Sequence, residues 1–282
     1  MIGLRIDELT CPICNAPASF MAKHPEAHLY RCKVCSHPFS DPGSVDEERY
    51  EGEYFASHHK RWFDHPNTPL FDRIADALPH GASVLDVGCG RGDFLRYLRS
   101  IRPDLILAGV DLSENQAAEG INFYRGDFLA TNFGRKFDAV VSLAVIEHIS
   151  NIQAFAHRIR DLTAPGGNVV VMTLNESSIL YALAKAGKNV GVPLAFNRLY
   201  SRHHLHHFTR RSLRILLERS GLHVKLEFTH NAPLTAIDIP VKAQALDTIL
   251  RAAMWSVCKA GDWTGTAYLQ TIICDKPTIC TD

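Results

Sequence analysis

From residue 83 onward, short runs of apolar and β-branched side chains alternate with longer stretches in which apolar residues return every three or four positions. The short runs predict strands over 83–87, 106–111, 121–125, 137–143 and 168–174, and the longer stretches predict helices near 92–101, 113–119 and 151–163. Strands that alternate with helices in this way build βαβ units around a parallel sheet. Pro165-Gly166-Gly167 is expected to turn the chain into the fifth strand. From 177 to 203 the rhythm breaks, which marks an insertion. A helix over 210–220 then stops at Gly221, a residue suited to the left-handed C-terminal position. Strands follow at 222–229 and 266–275, on either side of a second helical insertion at 240–260.

The first 45 residues lack such periodicity and are rich in Cys, His and Pro. A segment of that kind buries too little apolar surface to fold unaided, so it needs a staple. Residues 46–80 are charged and aromatic, and Pro66, Pro69 and Pro79 cut them into short helical pieces. The expected division is a module at 1–45, a helical linker or lid at 46–80, and an α/β domain at 81–282 with helical insertions near 177–210 and 231–262.

Composition narrows the classes. With 282 residues, 46% of them hydrophobic and 21% charged, there is chain enough for one large core and a small accessory module. Thirty basic residues balance thirty acidic ones, so no global field draws the protein to anionic lipid or nucleic acid, which counts against a nucleic-acid partner. The N-terminus shows no apolar run behind a basic start, and no stretch of about 18 apolar residues occurs to span a bilayer. A cytoplasmic protein without a membrane partner is the expectation; the pattern says nothing of oligomeric state.

Four of the eight cysteines fall in two pairs, Cys11-Pro-Ile-Cys14 and Cys32-Lys-Val-Cys35. Two such knuckles offer four thiolates to one tetrahedral ion, a structural zinc ribbon with no coordination position left for a catalytic water. His24, His28 and His37 stand nearby as substitutes that the ion does not need. Cys89, Cys258, Cys274 and Cys280 are scattered, a distribution that speaks for metal in a reducing compartment rather than a disulfide scaffold.

The strongest chemical signal is the turn in Ser83-Val-Leu-Asp-Val-Gly-Cys-Gly-Arg-Gly-Asp93. A glycine-rich strand-to-helix turn alone also serves dinucleotide-binding folds. Here Gly88, Gly90 and Gly92 are spaced Gly-x-Gly-x-Gly around Cys89, and Asp86 stands two residues before the first glycine. Its charge would repel a pyrophosphate and attract an ammonium group, so the loop favours a nucleotide that bears an amino acid. Asp111, followed by Leu112, ends the next apolar run about twenty residues on, where a carboxylate can take both ribose hydroxyls. Asp127, in Arg125-Gly-Asp-Phe128, can accept from an adenine amino group, with Phe128 against the ring. Each aspartate alone also fits a solvated loop; at three successive strand ends they point to one ligand.

Val84-Leu-Asp-Val-Gly-Cys-Gly-Arg-Gly92, Gly109-Val-Asp-Leu-Ser113, Gly126-Asp-Phe128, Phe137-Asp-Ala-Val-Val141, Ile146-Glu-His-Ile149 and Leu162-Thr-Ala-Pro-Gly-Gly167 follow in order. With them residues 83–175 resemble the core of class I S-adenosylmethionine-dependent methyltransferases, in particular the ubiquinone-biosynthesis-like (type 11/12) subgroup. The resemblance implies an α/β fold with a Rossmann-like, seven-stranded, mostly parallel sheet, helices on both faces and an antiparallel final strand. It implies S-adenosylmethionine as cofactor and a small-molecule acceptor of natural-product, sugar or quinone-like class, methylated on oxygen before nitrogen or carbon. The short stretch from Ser113 to Ile121 leaves a brief second helix, a departure that bears on the adenine contacts, Gln116 among them.

Methyl transfer from a sulfonium is an in-line displacement, so the protein must align the acceptor and, for a hydroxyl, take its proton. Groups for that work belong at the carboxyl ends of strands. Glu147 and His148 follow the fourth strand directly, and His148 titrates in the range of a general base; it equally fits a packing residue at a helix start. Arg202-His-His-Leu-His-His-Phe-Thr209 sets four histidines in five positions before a helix that Thr209 is expected to cap. Neighbours in an extended segment face opposite ways, so at most two converge, which counts against a metal cluster. In similar methyltransferases a His-Leu-x-x-Phe-Ser/Thr segment lies near the acceptor, and the match at His204-Leu-His-His-Phe-Thr209 carries that role to His204. Tyr50, Tyr54 and Phe55 resemble a tyrosine-rich segment that covers the cofactor in related enzymes, Tyr54 as a contact; packing of an amphipathic linker explains the same four-residue spacing.

Two other readings share these motifs. Against a ribosomal-RNA methyltransferase with a zinc module stand the balanced charge and the lack of a basic, aromatic-studded stripe. Against a non-catalytic cofactor-binding protein stand the intact loop and its three carboxylates.

Overall fold

A computed structural model describes residues 9–41, 64–114, 119–201, 203–237 and 244–278. Near the N-terminus β1 (Ala18–Lys23), β2 (His28–Cys32) and β3 (Pro38–Ser40) form a small antiparallel sheet. The central sheet comprises β4 (Ser83–Val87), β5 (Ile106–Asp111), β6 (Ile121–Arg125), β7 (Phe137–Leu143), β8 (Thr163–Leu174), β9 (His223–His230) and β10 (Leu269–Asp275). Helices α1 (Thr68–Asp76), α2 (Asp93–Ile101), α3 (Ile152–Leu162), α4 (Ile179–Asn189), α5 (Leu194–Leu199), α6 (Arg210–Arg219) and α7 (Gln244–Thr264) complete the described elements.

Strand order is β6-β5-β4-β7-β8-β10-β9. The first five strands in that order are parallel, and β10 runs antiparallel between β8 and β9. β4 is buried at every position, as a strand covered on both faces must be. Because side chains alternate across a strand, the sheet feeds two cores. Leu85, Val87, Val140 and Val171 meet Phe155 and Ile159 of α3 and Leu213 and Leu217 of α6. Val84, Leu107, Val141 and Val170 meet Leu70 and Ile74 of α1, Leu95 and Leu98 of α2 and Tyr181 of α4. The order reverses between β4 and β7, and a crevice opens at their carboxyl ends, as at the switch point of any such sheet.

The local signals act as expected at α6, where the Thr209 hydroxyl accepts from Ser212 N and the Ser212 hydroxyl from Thr209 N. They act differently at Pro165-Gly166-Gly167. Instead of preceding the strand, this motif lies inside β8, which already pairs Thr163 with Phe137 and then shifts register before Asn168 meets Ala139. A Cβ on Gly167 would lie 2.8 Å from the Asp138 carbonyl oxygen. The glycine permits a close backbone approach and the pair forms a bulge that re-aims the strand. Tyr50, Tyr54, Phe55, Gln116 and Cys280 lie outside the described residues.

The small sheet does not stand apart. Cys11, Ile13, Cys32 and Cys35 share a buried cluster with Phe155 and Phe208 on the α3/α6 side, while the cluster internal to the small sheet is Ala18, Tyr30 and Phe39. Among the described residues no helix is long and apolar enough to cross a membrane.

Candidate active site

At the carboxyl end of β4 the chain turns through Gly88, Gly90 and Gly92, with φ of +68°, +49° and +75°, a region that side chains disfavour. Gly88 is also short of room: a Cβ there would collide with the Val145 side chain across the switch point. The amides of Gly88 and Cys89 donate to the Val110 carbonyl at 2.8 and 3.2 Å, and Gly90 N donates to Asp111 Oδ2 at 2.8 Å. The loop is thereby tied to the end of β5 before α2 begins.

Asp111 is the brace. Its other oxygen accepts from Ser113 N at 2.8 Å and Ser113 Oγ at 2.5 Å, and a carboxylate's two oxygens offer about four lone-pair sites, so one acceptor site stays open to a further donor. Asp86 is 3% exposed. Burial first, and the neighbouring Asp111 charge second, hold its pKa well above the ordinary carboxylate range, so a cation brought to it would be favoured. Asp127, beyond β6, accepts from Leu129 N at 2.9 Å. Phe128 is buried edge-on to Phe155, ring centroids 5.3 Å apart. Asp86, Gly88, Cys89, Gly90, Asp111, Leu112, Asp127 and Phe128 all line one cavity of about 340 Å³. Gly92 is not among its lining residues.

The same cavity continues to Glu147, His148 and His204. Ala144, with φ of +58°, turns the chain out of β7 into a 3₁₀ turn at Ile146–His148; a non-glycine residue held there costs about 1–3 kcal/mol, strain of the sort that gathers at functional sites. Glu147 is 1% exposed, and its Oε2 accepts from Thr173 Oγ1 at 2.8 Å. Burial pushes its pKa to about 7, against the pull of hydrogen bonds from its own backbone and Thr173. His148 Nδ1 lies 2.6 Å from the His203 carbonyl oxygen. A carbonyl only accepts, so the proton sits on Nδ1 and Nε2 is the basic nitrogen. The His148 and His204 rings are 5.0 Å apart.

The neighbouring histidines turn away. His206 stacks on His37 with centroids 5.4 Å apart, and His207 packs against Tyr200 at 4.5 Å. Burial lowers their pKa values to about 4 and about 3, which keeps both rings neutral near pH 7. Met172, Tyr268 and Ala232 also line the cavity and were not singled out by pattern. Tyr268 escapes the strand-end rule because β10 is antiparallel, so the residue before it sits beside the carboxyl end of β8.

In the turns beside the small sheet and at the end of β2, Cys11 Sγ and Cys35 Sγ are 3.5 Å apart and Cys14 Sγ and Cys32 Sγ 3.4 Å apart. All four sulfurs lie within 4.8 Å of one another. Metal–sulfur bonds of about 2.3 Å give a tetrahedron with edges of about 3.8 Å, so number, kind and spacing of donors are compatible with zinc. Ile13 N and Val34 N donate to Cys11 and Cys32 Sγ at 3.4 and 3.3 Å.

A seven-stranded sheet with one antiparallel strand inserted next to its edge, and a glycine loop braced by the next strand's aspartate, define the class I methyltransferase core. Residues 58–226, more than half of the chain, match the family described as Methyltransferase domain, and the chain belongs to that family. Over 129 residues it is 33% identical to a ubiquinone biosynthesis O-methyltransferase of Bradyrhizobium sp. (strain ORS 278), across 42% of this chain and 50% of that one. The chain thus spans about half the length of that relative. A chain from the complex between the Haloferax volcanii Trm112 methyltransferase activator and a methyltransferase superposes with a TM-score of 0.56 at 19% identity, over 80% of this chain and 95% of that one. A SAM-dependent methyltransferase from Archaeoglobus fulgidus gives 0.51 at 20% identity, over 79% and 99%. These two likenesses bear on the fold.

Proposed function

We propose that the protein transfers a methyl group from S-adenosylmethionine to an oxygen of a small-molecule acceptor of natural-product, sugar or quinone-like class. The observation that carries this reading is the single cavity running from Asp86, Asp111 and Asp127 to Glu147, His148 and His204. The cofactor supplies an activated methyl on a sulfonium sulfur; the residues hold, orient and take a proton. Asp86 faces the ammonium group, whose charge would offset the cost of its own. Asp111 takes a ribose hydroxyl at its open acceptor site, Asp127 the adenine amino group, and Phe128, Cys89 and Leu112 form apolar walls, with Tyr54 as a further proposed contact. At the far end His148 Nε2 accepts the acceptor's hydroxyl proton while Nδ1–H stays fixed on the His203 carbonyl. Glu147, titrating near neutrality, and His204 stand beside it as further acceptors. Oxygen is favoured over nitrogen by these proton-accepting groups and by the relative's name. The four cysteines hold one structural zinc ion.

Calorimetry with S-adenosylhomocysteine, followed by mass spectrometry of a phenol, catechol and sugar panel incubated with S-adenosylmethionine, tests the reading. Binding and an added methyl on oxygen are expected; no heat of binding at about 1 mM ligand sinks it. Metal analysis should return one zinc per chain.

A further inference from the structure

We infer that the cysteine ribbon is a positioning element of the acceptor wall, an inference that rests on the methyltransferase reading. β3 pairs with the histidine segment: Ser40 N donates to Leu205 O at 2.9 Å, His207 N donates to Pro38 O at 3.0 Å, and Phe39 and His206 face each other across an antiparallel bridge. Ser40 Oγ adds a bond to His204 O at 3.2 Å. The same segment grips the acceptor side. Leu205 N and His206 N both donate to Glu147 O, at 2.8 and 3.1 Å, and His203 O receives His148 Nδ1–H. Residues 203–207 are thus a strip to which both the ribbon and the Glu147–His148 turn are bonded, with Leu205 and His206 touching both.

Further anchors hold the ribbon to this side of the molecule. His37, fully buried, spans 3.2 Å contacts to His206 Nδ1 and to Ser212 Oγ at the start of α6. Gln153 Nε2, on the helix that follows His148, donates to Pro12 O in the first knuckle at 2.8 Å. None of these contacts touches the glycine loop. A ribbon takes its shape from its ion, so the ion holds the acceptor wall in register and leaves the donor end to its own brace at Asp111. A ribbon serving only to recruit a partner would have no need of these bonds.

Hydrogen–deuterium exchange on the full-length, metal-loaded protein, before and after chelation, decides the matter. Chelation is expected to speed exchange in peptides covering 144–149 and 203–208 by about tenfold or more, while affinity for S-adenosylhomocysteine moves by less than about threefold. Ser40→Ala keeps the ion and the ribbon. It should raise exchange at 203–208 and, with a catechol as probe acceptor, lower kcat by about threefold to tenfold at unchanged KM for S-adenosylmethionine. Unchanged exchange in both peptides after metal loss overturns the inference. So does parallel loss of S-adenosylhomocysteine binding, because the ribbon would then support the whole fold. If the metal-loaded protein binds no S-adenosylhomocysteine, the proposed function falls, and the exchange comparison still decides the ribbon's role.

Discussion

Thr173 donates its hydroxyl hydrogen to Glu147 across 2.8 Å, and neither side chain reaches solvent. Burial holds the Glu147 carboxyl at about 7, whereas in the unfolded chain it titrates near 4.5. Between these values the native state binds more protons than the unfolded one, so stability falls as pH rises through the window and levels off above it. The loss is on the order of 3 kcal/mol. Glu147→Gln removes the titration, and urea unfolding at about pH 5 and about pH 8 should show wild type losing stability relative to the variant. Equal slopes would refute a raised pKa for this carboxyl.

Asp111 joins the glycine loop to the turn after β5 through three hydrogen bonds. Asp111→Ala removes the brace together with the proposed ribose acceptor, and affinity for S-adenosylhomocysteine should fall by about 100-fold or more. Ser113→Ala removes one of the three donors, leaves the carboxylate, and should cost about tenfold or less. Calorimetry on both variants checks the ranking; comparable losses would mean that Asp111 acts by loop geometry alone.

Gly88 and Val145 face each other across the switch point with no space for a Cβ between them. Gly88→Ala is expected to destabilise by about 1–3 kcal/mol and to displace the turn that carries Glu147 and His148. Adding Val145→Ala removes the two methyl groups nearest the new Cβ, so the double variant should recover the steric part of the loss and retain the part due to positive φ. Thermal unfolding of the set separates the two; no recovery in the double variant would assign the whole cost to backbone conformation.

The strands at this site were legible because a parallel sheet covered on both faces leaves apolar runs such as Leu107–Val110. Asp111 was legible because it ends that run, Asp86 because it interrupts the otherwise apolar Val84–Val87 just before the glycines, and Asp127 because it follows β6 through Gly126. Less could be read where contacts depend on chain reversal. The pattern expected a turn at Pro165-Gly166-Gly167, since only the approach of the Asp138 carbonyl shows why a strand should run through glycine there. Alternation foretold that the histidines of 203–207 would diverge, but not that His206 would meet His37, 169 residues away. The ribbon's docking has the same character: Pro12 and Gln153, or Arg31 and Glu176, carry no local mark of their pairing.

That last pair yields a test of how the ribbon is fastened. Glu176 Oε1 accepts from Arg31 at 2.6 Å, Lys185 at 2.9 Å and the Tyr200 hydroxyl at 2.6 Å, with the carboxylate side chain 3% exposed. A buried carboxylate is tolerated only with such partners, and removing the charge leaves them to find others. Arg31 and Lys185, 31% and 36% exposed, can turn toward water, so Glu176→Gln should cost about 2 kcal/mol rather than the larger penalty of a fully enclosed pair. Tyr200→Phe takes away one neutral donor and leaves both cations, at a cost of about 1 kcal/mol. Urea unfolding should therefore rank Glu176→Gln as the more damaging change, and added salt should narrow the gap because the exposed ends of the ion pairs are screened. The reverse ranking would mean that the tyrosine hydroxyl, not the ribbon's arginine, is what Glu176 chiefly needs.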